Sequence, residues 1–336
     1  MKIHSSSSTR IDLAGGTLDI YPLYIFENGG LTINIAISLR SRVEVASRND
    51  NKIVISSKDL NKKMTFKSIN DLKTNGPLSL ISRIIKFYWN KRSGLDIRTE
   101  NTVPKGSGLG ASSSLLISLS SAISSLSGEK YQPEKLIDWG ANIEAQELGI
   151  PTGKQDYYPA VYGGINILHF NEKGISREDF KLDDKFKTEL EKHLILTYTG
   201  ISHFSGTNNW AMMKKYIDKD KQTVRSLKKI KETAFRMRQS IINHDLKGMA
   251  ESLNEEWENR KKLAKGVTNS KIDKLIKDAA DNGAFASKIC GAGGGGCLVT
   301  IAPPEKRDCV IKSLIKNNAE ILYFYIDPHG NEIKKI

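Results

Sequence analysis

An α+β fold of two closely packed lobes is predicted for this 336-residue chain by three features. Strand-like segments gather toward both ends, near-continuous helical periodicity fills 208–281, and no regular strand–helix–strand alternation links them. From Leu31 to Ser57, Leu31, Ile33, Ile35 and Ile37, then Val43 and Val45, then Ile53, Val54 and Ile55 alternate or cluster as strand residues do, with the polar turn Arg48-Asn49-Asp50-Asn51 between them. Leu78–Tyr88 reads as a helix, and Leu95–Glu100 as a strand leading into a glycine-rich loop. Leu115–Leu126 carries apolar residues at helical spacing, and Pro133, suited to a first turn, opens a helix to about Leu148. Ile165–Phe170 and Leu194–Tyr198 read as strands joined by a charged connection. Within the helical stretch Leu246, Met249, Leu253 and Trp257 form one stripe, most simply core packing. Strands return at Cys297–Ile301 and Ile321–Ile326 around a helix over Glu305–Asn317. With no internal repeat, low-complexity tract or long linker, the lobes are divided as residues 1–180 and 181–336.

Composition narrows the function. Lysine and arginine number 51 against 38 acidic residues, giving a formal charge of +13 and a pI of about 9.4. Such a balance attracts anions: ATP, a sugar phosphate, nucleic acid or an acidic membrane. The lysines are spread along the chain with no aromatic-interleaved patch, so solvated surface is favoured over a nucleic-acid partner. Cys290, Cys297 and Cys309 form no C-x-x-C pair, which argues against a disulfide framework or a cysteine zinc site and suits a reducing cytoplasm. The start Met1-Lys2-Ile3-His4-Ser5 lacks a signal-peptide apolar core, and no run approaches a membrane span. A cytoplasmic protein without a membrane partner is expected.

Two glycine loops carry the chemistry. In Pro104-Lys105-Gly106-Ser107-Gly108-Leu109-Gly110-Ala111-Ser112-Ser113, glycines let backbone amides approach phosphate oxygens, and the helix starting near Ala111 offers its positive end. Ser112 or Ser113 either caps that helix or reaches a phosphate or Mg2+. The second loop, Lys288-Ile289-Cys290-Gly291-Ala292 followed by Gly293–Gly296, lies almost two hundred residues on, which suggests that distant segments converge on a nucleoside triphosphate. Gly106–Ala111 also satisfies the dinucleotide pattern G-x-G-x-x-G/A, but Pro104 precedes it and its helix leads through Gly128 and Pro133 into another helix, the wrong context for a dehydrogenase. No G-x-x-x-x-G-K-[ST] Walker loop occurs.

Two further segments hold candidate reactive groups. In Glu144–Tyr157, Asp156 follows a Pro151-Thr152-Gly153 turn beside Lys154 and suits a general base, while Glu144 could hold a metal; either carboxylate alone is as readily a surface or capping group. Near the start, Arg10 offers a planar cation for a phosphoryl group, and Asp19, after Gly16 and Thr17, an acceptor for polyol hydroxyls; a salt bridge and a turn cap are the plainer readings.

These four segments, in this order and over most of the chain, resemble the GHMP kinase superfamily, named for galactokinase, homoserine kinase, mevalonate kinase and phosphomevalonate kinase. The first loop is similar to that family's P-x-G-x-G-L-G-S-S motif and Lys288–Gly296 to its G-A-G-G-G motif. Gly149–Tyr157, Trp257–Ile272 and Asn282-Gly283-Ala284 most resemble the D-glycero-D-manno-heptose 7-phosphate kinase branch. The resemblance implies a lobe like domain 2 of ribosomal protein S5 followed by a ferredoxin-like helical lobe, with the active site between them. It implies ATP and Mg2+ as cofactors, Asp156 as base, Arg10 steadying the phosphoryl group, and Ser112 with Glu144 on the metal. ATP would lie along Pro104, Gly106–Ser113, Gly291, Gly293 and Gly294, and the acceptor beside Gly16, Thr17, Asp19, Lys154 and Gly293. The implied acceptor is a sugar or sugar phosphate, first of all the heptose 7-phosphate. A neutral sugar, as for galactokinase or fucokinase, or a catalytically inactive binding protein, is the alternative; a monomer or homodimer is expected.

The chain departs from the pattern at Ala111, which replaces the first serine and shifts that contact to Ser112. Tyr158 stands for a smaller or polar residue, and Arg10–Gly16 differs from the heptose kinase wording; both changes are expected near the acceptor pocket. A sugar-phosphate acceptor would call for a basic cluster beside Asp19 and Asp156, with Lys154 or His203 as candidates; without it a neutral sugar is favoured.

Overall fold

The computed structural model describes residues 1–202 and 205–336. The N-terminal lobe runs β1 (Lys2–Ala14), α1 (Leu23–Phe26), β2 (Gly30–Ser47), β3 (Ile53–Ser57), β4 (Lys62–Phe66), α2 (Ser79–Tyr88), β5 (Leu95–Asn101), α3 (Ala111–Ser127), α4 (Pro133–Leu148), α5 (Tyr157–Tyr162), β6 (Ile165–Asn171) and β7 (Gly174–Arg177). The C-terminal lobe follows with α6 (Asp184–His193), β8 (Leu194–Tyr198), α7 (Ser205–Ile217), α8 (Lys221–Ile242), α9 (Leu246–Arg260), α10 (Ser270–Asp281), β9 (Ala286–Ile289), β10 (Cys297–Ile301), α11 (Arg307–Lys316) and β11 (Glu320–Ile321), and the chain closes with β12 (Glu332–Lys335).

The first sheet has the order β12-β1-β2-β5-β3-β4, with β6 on β2 and β7 on β6. What the sequence suggests as two strands, Leu31–Ile37 and Val43–Val45, is one long strand, β2, that changes partner midway. Gly30–Ile35 pairs with β6 and Ser41–Ser47 with β5, and a register shift against β1 falls between the halves. One face of the first half, Leu31, Ile33, Ile35 and Ile37, is fully buried in a core shared with Ala234, Met237 and Ile241 of α8 and with Leu194, Leu196, Val299 and Ile301 of the second sheet. Each such side chain removed from water contributes about 1.5–3 kcal/mol, so this continuous core holds the two lobes as one body.

The second sheet is β11-β8-β10-β9, antiparallel throughout. Numbered within its lobe that order is 4-1-3-2, the ferredoxin-like arrangement, with α7–α10 inserted after the first strand and α11 before the last. The last residues do not stay in this lobe, as a division at 181–336 implies. Of the expected strand 321–326 only the start joins β8: Ile321 pairs with Thr197, next to Glu320, and the Leu322 amide donates to the Leu196 carbonyl at 2.9 Å, after which Tyr323 and Tyr325 are exposed as the chain crosses over. It then makes a bridge from Ile326 to Ile37 and adds β12 to β1. The buried Arg40 guanidinium fixes this return, binding Asp327, Gly330 and, at 3.1 Å, Glu332.

Through its first half β1 carries no hydrophobic alternation to announce it. Ser5, Ser7 and Ser8 are buried, and α3 lays its own buried Ser114, Ser118 and Ser121 across them. Small side chains let helix and strand approach closely, and hydroxyls are paired: Ser114 donates to the Ser7 carbonyl at 2.7 Å and Ser8 to Asp327 at 2.9 Å. This contact sets the N-terminus of α3, and with it the first glycine loop, beside Arg10.

Candidate active site

A cleft of about 380 Å³ opens between the lobes, lined by both glycine loops, by Arg10, Gly16, Thr17 and Asp19, and by Glu144, Gln155, Asp156 and Arg260. The glycine loops touch. The Cys297 amide donates to the Ser107 carbonyl at 2.7 Å, and a Cβ on Gly108, at φ +70°, would stand 2.5 Å from the Cys290 carbonyl oxygen. Only glycine allows that approach. The Ser107 hydroxyl is buried without a partner among the described residues, as expected of a donor awaiting a ligand. Pro104, Gly106, Ser107, Gly108, Leu109, Gly110, Ala111, Ser112, Gly291 and Gly293 all line the cleft. Gly294 does not; its amide is committed to the Val267 carbonyl at 2.7 Å. Ser113 turns inward to Glu144 at 3.2 Å.

Arg10 and Asp12 point to one side of β1 because they are two residues apart on a strand. Arg10 grips Asp156 with two hydrogen bonds of 2.8 Å and also donates to the Gly108 carbonyl. Asp156 in turn lies under the first loop, where a Cβ on Gly110 would stand 3.2 Å from its Oδ2. Burial raises the Asp156 carboxyl above the ordinary aspartate value, and the Arg10 charge offsets this only partly. Asp12 behaves oppositely. Burial works against its charge, but Lys288 at 2.7 Å, Arg10 and Arg260 hold it down to about 2. Its other oxygen accepts from the Gly291 amide at 2.7 Å, tying the second loop to β1.

Asp19 is 3% exposed and accepts from the Gln155 amide at 3.0 Å. Gly153 makes this possible, since a Cβ there would sit 2.0 Å from Asp19 Oδ2. Burial first, then the nearby Asp156 charge, lifts Asp19 to about 6. Next to it Arg260, fully buried, is held by Glu256 at 2.6 Å and donates to the Gly16 carbonyl at 2.8 Å and the Thr17 hydroxyl at 3.3 Å. On the opposite wall Ser112 and Tyr157 both donate to Glu144, whose pKa burial raises against those bonds. No group of three or more His, Cys, Asp or Glu suited to a metal occurs among the described residues. One carboxylate and one hydroxyl beside an anion cradle is nevertheless the donor set that Mg2+ takes when phosphates and waters supply the rest, so Ser112 and Glu144 fit it. Cys290 forms a neutral part of the wall: burial and Asp12 push its thiol up to about 12.

Some expected residues lie elsewhere. Lys154, beside Asp156 in sequence, turns its ammonium to Asp138 at 2.6 Å and does not line the cleft, because side chains at adjacent positions of this turn diverge. His203 lies outside the described residues. The cations lining the cleft are Arg10, Lys105 and Arg260, and the two nearest Asp19, Arg10 and Arg260, are already paired. Tyr158, expected at the acceptor pocket, packs on Tyr162 in the N-terminal core instead, with ring centres 6.0 Å apart. Asp12, Glu256 and Arg260 carry no motif of their own. The Arg10/Asp12 alternation and the i, i+4 spacing of Glu256 and Arg260 are the signals that could have drawn attention to them.

Comparison with known proteins identifies the family. Residues 79–164 match the GHMP kinases N terminal domain and residues 237–320 the GHMP kinases C terminal domain. The chain is 31% identical to the D-glycero-alpha-D-manno-heptose 7-phosphate kinase of Campylobacter jejuni, over 98% of this chain and 97% of that one. It is 24% identical to the bifunctional fucokinase/GDP-fucose pyrophosphorylase of Arabidopsis thaliana, over 93% of this chain but only 31% of that longer protein. The crystal structure of a D-glycero-D-manno-heptose 1-phosphate kinase from Bacteroides thetaiotaomicron superposes with a TM-score of 0.82 at 26% identity, covering 99% of each chain. No described helix is long and apolar enough to cross a membrane. With two touching glycine loops, a shared interlobe core and matches in both lobes, the chain belongs to the GHMP kinase superfamily.

Proposed function

We propose that this kinase transfers the terminal phosphoryl group of ATP to a hydroxyl of a sugar phosphate, with D-glycero-D-manno-heptose 7-phosphate as the first candidate acceptor. The observation that carries the reading is the Arg10–Asp156 pair beneath the first glycine loop, with Asp19 across the same cleft. Phosphoryl transfer needs alignment and charge neutralisation more than covalent help. Asp156, the base in this reading, takes the proton of the acceptor hydroxyl, and its raised pKa favours that transfer. Arg10 orients Asp156 and presents positive charge to the equatorial oxygens. The amides of both loops hold the phosphates, while Asp19, Gly16 and Thr17 hold the acceptor. Ser112 and Glu144 would hold Mg2+, which would supply charge neutralisation to the bound phosphates.

A neutral sugar is the second reading, favoured by the pairing of Arg10 and Arg260 and by the fucokinase likeness. ADP release across a panel of sugars, each with and without a phosphate, separates the two. The heptose 7-phosphate is expected to give the highest kcat/KM; a neutral sugar exceeding it tenfold would overturn the choice of acceptor.

Asp19 adds a pH signature. Its carboxyl, raised from 3.8 to about 6, keeps in the folded state a proton that the unfolded chain has released. Stability therefore falls as pH rises through that window, by up to roughly 3 kcal/mol at 1.36 kcal/mol per unit. Asp19→Asn, which retains an acceptor for the Gln155 amide, should match the parent near pH 4 and exceed it at pH 7 in urea denaturation. Equal stability at both pH values would show that burial does not perturb Asp19.

A further inference from the structure

Between Asp19 and Asp156 the cleft wall carries Gln155, which the mechanism above leaves without a task. The residue is 6% exposed, its side chain lines the cleft, and its Oε1 has no hydrogen-bond partner among the described residues. Its backbone, by contrast, is used on both sides: the amide donates to Asp19 at 3.0 Å and the carbonyl accepts from Asn34 Nδ2 at 3.1 Å. The side chain is thus placed firmly while its acceptor stays unsatisfied, an arrangement that protein interiors avoid unless something else completes it.

The surroundings indicate what completes it. A Cβ on Gly16 would stand 3.1 Å from both Gln155 Nε2 and Arg260 Nη2, so the carboxamide and the guanidinium converge on the Gly16–Thr17 backbone. Arg260 is neutralised by Glu256, and Asp12, 3.5 Å from the same point, by Lys288. This corner has no net charge left over for an anion. A carboxamide offers one acceptor and one donor face; an ionised phosphate, which only accepts, would leave Oε1 unpaired. A sugar hydroxyl both donates and accepts.

We propose that Gln155 binds an acceptor hydroxyl adjacent to the one held by Asp19, so that the two residues clamp a pair of neighbouring hydroxyls and present a third to Asp156. The ligand class at this corner is a polyol with adjacent hydroxyls, and any phosphate on the acceptor lies away from this wall. The inference rests on the kinase reading above but not on which sugar is correct.

The test is Gln155→Met, which keeps side-chain length and both backbone bonds but removes the polar atoms. With D-glycero-D-manno-heptose 7-phosphate, or whichever panel sugar the parent enzyme uses best, acceptor KM should rise about 10- to 100-fold, from the usual cost of leaving one buried hydroxyl unpaired. ATP KM should stay within about twofold, a selectivity that general loosening of the fold would not produce. Monodeoxy analogues of the same acceptor locate the contact. One analogue should be penalised by the parent enzyme and not further penalised by Gln155→Met. Unchanged acceptor KM, or equal penalties in both enzymes for every analogue, would overturn the assignment. Failure of the heptose phosphate as a substrate bears only on the choice of sugar.

Discussion

Asp156→Asn is expected to lower turnover by about two to four orders of magnitude, the usual worth of a general base, while a nonhydrolysable ATP analogue binds nearly as before. The substitution is isosteric and leaves the Arg10 contact to the Gly108 carbonyl in place, so the first loop keeps its position. What is lost is the proton acceptor and one of the two 2.8 Å bonds that aim Arg10. The pH profile separates these losses. Burial raises Asp156, so the acid limb of kcat/KM in the parent should fall above the ordinary aspartate value, and in Asp156→Asn that limb should vanish. Arg10→Lys, by comparison, keeps the base and a charge but gives up the two-pronged grip, and should retain an acid limb at reduced kcat. Turnover of Asp156→Asn within a few-fold of the parent would remove Asp156 from the role of base and pass the proton of the acceptor hydroxyl to another group.

Legibility in the sequence followed hydrophobic period and glycine content. The helices α2, α3, α4 and α11 and the strands β5, β6, β8 and β10 lie where apolar spacing places them, and the two glycine loops meet as the presence of two such loops in one chain suggests. β1 was hidden because its burial is met by hydroxyls, as in Ser5, Ser7 and Ser8, and a period-2 apolar pattern does not register a strand of small polar residues. β12 was hidden differently. All four of its residues are exposed, and its place on β1 is set by the long-range contacts of Arg40, to which local sequence is blind. Lys154 lies outside the cleft for a related reason: adjacency in a turn says nothing about side-chain direction, and Asp138 on α4 pairs with it at 2.6 Å. Asp156, Arg10, Asp19, Glu144 and Ser112 share one cleft, but the pairing of the buried charges that fix them there, Asp12 with Lys288 and Glu256 with Arg260 and Lys288, forms only when strand, hairpin and helix are brought together.

Lys288→Met is expected to destabilise the protein by about 3–5 kcal/mol, the cost of leaving a buried charge without its partner. Lys288 and Asp12 are both buried, 2.7 Å apart, and the lysine also stands 4.0 Å from Glu256. Removing the ammonium leaves two carboxylates facing Arg10 and Arg260, whose guanidinium groups are already gripped by Asp156 and Glu256. Asp12, held near 2 in the parent, contributes stability that is complete above its unfolded value near 3.8 and is lost as pH falls toward 2. Without Lys288 its pKa must rise, so acid unfolding should begin at higher pH in the variant. The double variant Lys288→Met with Asp12→Asn should recover much of the loss, because it removes the charge that lost its partner and keeps an oxygen for the Gly291 amide. Denaturant titrations of the four proteins give the coupling directly, and additive losses would mean that the pair does not act as a unit. The same cycle bears on function. Asp12 joins the charge network to the second glycine loop through Gly291, so Lys288→Met, which lets Asp12 move or protonate, should weaken ATP binding more than acceptor binding, whereas a lysine important only for stability would leave both ligands equally affected.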